Sequence, residues 1–191
     1  VSEMSSASSS GAESVDSNSG DQLDFSTKSE LLDGTFLIDG KRIHAGKQYL
    51  LLHSSYFAAI FHGSFKESEQ DEIELKDVTY EEFHEMLRVI YPPSKDVTDD
   101  FVESLLVLGD RYGIKMLLDK SEAHLIKTEK FTIPEKLLLS ENYRLYQLQD
   151  ACFATLDTKE DVEDLKKTEE YAKLSDACKE NIEEIKEELD E

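Results

Sequence analysis

The spacing of apolar and polar positions changes several times along the chain, and each change predicts an element. Gly34-Thr35-Phe36-Leu37-Ile38 and Lys41-Arg42-Ile43-His44 flank Asp39-Gly40. Asp-Gly suits a type I′ turn, in which both central residues need positive φ, so the stretch predicts a hairpin. From Gln48 to His62, Leu50, Phe57, Ile60 and Phe61 recur at helical spacing, with Gly63 as the stop. Asp71 to Leu75 alternates polar and apolar, the period of a half-buried strand. Thr79-Tyr80-Glu81-Glu82 is a capping box. The helix it opens puts Phe83, Met86, Leu87, Ile90 and Tyr91 on one face, and Pro92-Pro93 stops it.

A further helix is predicted to follow Thr98 or Asp99, with Val102, Leu105, Leu106 and Gly109 inward. Gly113 separates it from another that carries Ile114, Leu117, Leu118, Ser121 and Leu125. Thr132-Ile133-Pro134-Glu135 is a second helix start, with proline in the first turn where its missing donor does no harm. Leu145, Leu148, Cys152, Phe153 and Leu156 keep helical phase, as do Leu174, Cys178, Ile182, Ile185 and Leu189. From Phe131 onward the chain reads as about four helices. The fold class is therefore α+β: a short β-sheet flanked by α-helices, followed by an all-α C-terminal extension. Three regions follow: a tail over 1–22, a mixed domain over 23–130 and a helical extension over 131–191.

Composition changes the picture at the ends. Nine of the first 20 residues are Ser, and no Lys or Arg precedes Lys28. That segment has almost nothing to bury and is expected to be a disordered, solubilising tail; its serines beside acids would also suit an acidophilic kinase. The net charge is −22. Such a chain is expected to repel nucleic acid, which needs clustered Lys and Arg, and anionic membrane surfaces. The longest uncharged stretch, Gln48 to Phe65, is too polar to span hydrocarbon. With two cysteines, no Cys-x-x-Cys, no Asn-x-Ser/Thr sequon and no signal-peptide pattern, a reducing cytoplasm or nucleus is expected.

Catalytic chemistry finds no constellation. The five histidines form no His-Glu-x-x-His, and no nucleophile elbow, Walker loop or dinucleotide fingerprint occurs. No Asp or Glu sits on a clearly apolar face in the pattern, so no acid/base pair is expected. An enzyme, a metal and a cofactor are all unexpected. Cys152 and Cys178 read as small core hydrophobes. His44, placed where strand passes into helix, reads as a hydrogen-bonded structural residue; a pH-sensitive or ligand-binding group is the other reading.

Several segments resemble the BTB/POZ domain. Asp39 to His44 is similar to the family's hairpin ending in a buried histidine. Lys47 to Phe57 resembles its "K-x-x-L-x-x-x-S-x-Y-F"; Phe65-Lys66-Glu67-Ser68 resembles "F-x-E-S"; Glu72 to Val78 resembles "E-I-x-L-x-D-V". Phe83 to Tyr91 and Leu106 to Tyr112 match two further motifs, the second holding Asp110 as a structural residue. The order covers about residues 30–128. The segment between His44 and Leu50 is two residues longer than usual, and Gly109 stands where Ala is common, a helix-propensity cost of roughly 1 kcal/mol unless packing needs it.

The resemblance implies binding to protein partners. BTB domains dimerise, and many link a partner to a cullin-3 ubiquitin ligase scaffold. Its cullin surface lies around Phe83–Tyr91 and the following segment, where Val97-Thr98-Asp99 is the nearest match to an apolar-x-acid motif. In the competing reading Val97 covers the next helix and Asp99 is its N-cap. The helices from Ile133 to Leu156 resemble the paired-helix (BACK-like) extension of adaptors. Tyr91, Val97, Asp99, Leu137 and Leu138 are thus the cullin-binding candidates. Leu23, Phe25, Leu31 and Leu32 are the candidates for a homodimer interface, as a short N-terminal helix; otherwise they cover the chain's own core. The expected function is a dimeric adaptor of a cullin-type ligase, with a dimerisation scaffold in a transcriptional or signalling assembly as the alternative.

Overall fold

A computed structural model describes residues 23–62 and 72–189. The Ser-rich tail, Gly63 and the Phe65–Ser68 motif lie outside the described residues. Strands β1 (Gly34–Ile38) and β2 (Lys41–Ala45) form the expected hairpin, with Phe36 opposite Ile43. Asp39 and Gly40 have φ of 50° and 72°, as the turn type demands. Strand β3 is only Ile73–Glu74, shorter than the alternation suggests, and pairs in parallel with β1. The sheet order is β2-β1-β3.

The single helix predicted from Gln48 to His62 is two: α1 (Lys47–His53) and α2 (Ser55–His62). They break at Ser54, whose φ and ψ are −135° and 119°. Its buried hydroxyl donates to the Tyr112 carbonyl at 2.5 Å and accepts the Phe57 amide at 3.1 Å. The break is thus set by a residue far along the chain. Helix α3 (Tyr80–Ile90) starts with the expected capping box at Thr79 and Glu82. Helix α4 (Val102–Tyr112) begins later than expected, after Phe101 and with no side-chain cap, so Asp99 is not its N-cap.

Gly113 ends α4 at φ 64°, and a Cβ there would meet Ser55 Oγ at 2.3 Å. A Cβ on Gly109 would meet Leu118 Cδ2 at 2.8 Å. The bare position lets α5 (Lys115–Lys127) lie close against α4, which is the packing reason for its helix-propensity cost. Between sheet and helices the core is aromatic: the rings of Phe36 and Phe57 are 5.6 Å apart, Phe36 and Phe83 5.4 Å, and Phe57 and Tyr112 5.1 Å. Edge-on and tilted pairs of this kind add to the area they bury.

Beyond α5 come α6 (Ile133–Tyr143), α7 (Tyr146–Phe153), α8 (Lys159–Lys166), α9 (Glu169–Lys173) and α10 (Asp176–Glu188), one more helix than the pattern shows. Capping boxes open α6 at Thr132 and α8 at Thr158. Helix α7 packs on α5. There the buried Glu122 carboxylate accepts the Leu148 amide at 3.0 Å. Buried Lys136 donates to the Thr128 carbonyl at 2.6 Å. Cys152 and Cys178 are buried and unpaired. Burial pushes both thiols up to about 11, away from reactive thiolate character.

The lead-in over 23–33 is turn and bend, not the short helix expected there. Phe25 is 1% exposed and meets Tyr91 and His84 edge-on, with ring centroids 5.3 and 5.9 Å away. Its carbonyl accepts the His44 amide at 2.8 Å. Leu32 is buried and Leu23 half-buried against the same core. Leu31 points out, 73% exposed.

Candidate docking site

The end of α3 and the segment after it carry most of the candidate contacts. Tyr91 closes the helix with its own amide on Leu87. Its buried hydroxyl accepts the Gly46 amide at 2.9 Å and donates to the Gly46 carbonyl at 3.3 Å. Burial pushes the phenol far above its ordinary value. Tyr91 therefore joins α3 to the end of the hairpin.

The chain after Pro93 then folds back. The Lys95 amide donates to the Arg88 carbonyl at 2.9 Å, and the Lys95 ammonium pairs with the buried carboxylate of Glu85. Arg88 Nη1 lies 3.6 Å from the other oxygen of Glu85. A charge buried on α3 thus has two cationic partners. This corrects the expectation that no acid sits on an apolar face, as does Glu122. Periodicity shows the face a residue occupies, whereas these carboxylates are tolerated there because of partners elsewhere in the chain.

Two residues on, Val97 is buried, and Asp99 reaches across to the C-terminal end of α5. Asp99 Oδ1 accepts from His124 Nε2 and from Thr128 Oγ1, both at 2.7 Å. These hydrogen bonds, Thr128's first, hold the carboxyl below its ordinary value. Because Thr128 also receives Lys136, one polar chain runs from Asp99 through α5 to α6.

Between the segment and α5 lies a cleft of about 350 Å³. Lys95, Asp96 and Val97 line one side, and Lys120, Ala123, His124 and Lys127 the other. Val97 thus lines the cleft, Asp99 holds its His124 from behind, and the other candidates lie elsewhere. Tyr91 faces Gly46, Leu137 is fully buried in the core, and Leu138 is half-buried on α6. His44 is buried with Nδ1 3.2 Å from Thr35 Oγ1. Asp110 is half-exposed, with Arg144 Nη1 at 3.6 Å. Two of the three lysines, Lys120 and Lys127, were legible as one face of a predicted helix, at positions i and i+7, although the wall facing them was not.

A family profile, the BTB/POZ domain, matches residues 23–129. The chain belongs to the BTB/POZ family. "BTB and MATH domain-containing protein 38" of Caenorhabditis elegans is 41% identical over 152 residues, covering 80% of this chain and 39% of that protein. "BTB and MATH domain-containing protein 36" of the same organism is 41% identical over 147 residues, 77% of this chain and 46% of that one. The chain thus spans under half the length of these two BTB relatives. Among solved structures, the BTB domain of human gigaxonin is similar with a TM-score of 0.43 and 18% identity, over 49% of this chain and 77% of that one. The family is one of protein-interaction modules. Among the described residues, no helix is long and apolar enough to cross a membrane.

Proposed function

We propose that this BTB chain acts as a homodimer that links a protein partner to a cullin-3-type ubiquitin ligase, in the cytoplasm or nucleus. The observation that supports the reading best is the joint between the BTB core and α6–α7. The Leu148 amide on Glu122 is a buried hydrogen bond across that joint and Lys136 on the Thr128 carbonyl a part-buried one, so the helices extend the core as a packed continuation of it. A scaffold that docks on α5 would meet the extension beside it. For the second copy, Leu31 and Leu52 are the two most exposed large apolar residues among the described ones, at 73% and 75%. Phe25 and Leu32 bury nothing further on association, because their own core already covers them. In the relatives named for BTB and MATH domains the matched stretch is under half of the protein, and the recruited partner is assigned here to parts beyond the BTB core.

A second reading keeps the dimer and drops the cullin. It is favoured by one observation: Tyr91, Val97 and Leu137 are buried and give a partner little surface. Titration of the chain with the N-terminal region of cullin-3 separates the two readings.

A further inference from the structure

We propose that the cleft between residues 95–97 and α5 docks an acidic segment of a partner protein, two of its carboxylates engaging Lys120 and Lys127 on either side of an apolar residue. The proposal does not depend on cullin binding. The argument begins with charge. The chain carries −22, yet this cleft collects three lysines and a histidine against one acid on its wall, Asp96.

Not all of these cations are free. Lys95 is paired with Glu85, and His124 is held by Asp99. Lys120 and Lys127 are different: among the described residues neither makes an ion pair or hydrogen bond. They stand on one side of α5, seven residues apart, which is about 10 Å of helix. In an extended chain alternate side chains share a face, so acids at i and i+4 flank an apolar residue at i+2 and stand about 13 Å apart, within reach of two flexible lysine stems. Ala123, exposed on the same face of α5, lies between them, which suits an aliphatic side chain between the two acids.

Residues 157–191 alone hold 15 acids and six bases, so much of the negative charge lies beyond the BTB core in sequence. At physiological salt, exposed charges more than about 8 Å apart are largely screened, so an incoming segment responds to what lines the cleft.

The test uses the full chain and fluorescent peptides. The acidic probe is Glu-Glu-Leu-Glu-Glu, with Gln-Gln-Leu-Gln-Gln and Lys-Lys-Leu-Lys-Lys as references, followed by anisotropy. The expected dissociation constant for the acidic probe is on the order of 100 μM or tighter. Binding should weaken at least about tenfold in the double variant Lys120→Gln with Lys127→Gln, and similarly when salt is raised from about 0.05 to about 0.5 M. Among the described residues both lysines lack partners, so the variant should fold; an unchanged melting temperature checks this. The Gln and Lys probes should not bind. Three results overturn the proposal: no binding by the acidic probe, equal binding by a reference, or an undiminished affinity in the double variant. It is equally overturned if the probe binds only after residues 1–22 are removed, because the occupant is then the chain's own acidic tail.

Discussion

The carboxylate of Glu122 on α5 accepts the backbone amide of Leu148 on α7 at 3.0 Å, with both residues buried. A buried carboxylate costs desolvation, and a buried amide without an acceptor costs more than the bond itself returns. The pair therefore ties the first turn of α7 to the BTB core. Glu122→Ala is expected to destabilise by about 1–3 kcal/mol, the penalty of an orphaned buried amide. Glu122→Gln keeps an acceptor oxygen and should cost less. Urea unfolding followed by circular dichroism checks the order of the two variants. Equal losses would mean that side-chain volume, not the hydrogen bond, holds the joint.

Among the described residues, the two positive-φ glycines should respond differently to Ala. At Gly113 the new Cβ would meet Ser55 Oγ at 2.3 Å, besides the left-handed backbone. At Gly40 no atom of the described residues lies within 4 Å of the added Cβ. Gly40→Ala should therefore cost only the conformational penalty, about 1–2 kcal/mol, and Gly113→Ala that penalty plus the cost of turning the Ser55 hydroxyl aside. Thermal melts of the two variants compare them directly.

Asp99 makes stability depend on acid pH. Its folded-state value is held down by Thr128 and then His124, so its contribution is fully present above the unfolded value of about 4. That contribution is lost as pH falls through the depressed folded value. In Thr128→Val one donor is gone, the folded value rises towards the ordinary one, and less stability is left to lose on acidification. Carboxyl chemical shifts during an NMR titration report the value directly. An unmoved Asp99 titration in the variant would contradict the assignment.

Dimerisation should depend on exposed leucines, not on buried ones. Leu31→Glu with Leu52→Glu is expected to reduce the light-scattering mass from about twice 21.8 kDa to that of one chain, without loss of helicity. Phe25→Ala should instead destabilise the monomer by about 3–5 kcal/mol through the cavity left beside Tyr91 and His84. A double variant that remains a dimer would place the interface elsewhere.

What the chain's pattern reveals is what neighbouring residues decide. The Asp39-Gly40 turn, the box at Thr79 and the helix start at Thr132 depend on contacts within a few residues, and they stand as the pattern predicts. The break at Ser54 depends on the Tyr112 carbonyl, 58 residues away, and local spacing carries no sign of it. Similarly, Phe25 is an apolar residue in a polar lead-in, and only the rings of His84 and Tyr91 show that it belongs to the core. The cleft was half legible. Lys120 and Lys127 share a helical face in any reading, but the segment that faces them is brought there by Asp99 reaching His124 and Thr128.

The cullin titration tests the central claim most directly. Full chain is titrated into the N-terminal region of cullin-3 in a calorimeter at micromolar concentrations. The account predicts saturable heat with one scaffold per BTB chain, and weaker binding when the joint is loosened by Glu122→Ala in a variant that remains folded. Absence of heat from a folded, dimeric chain would contradict it.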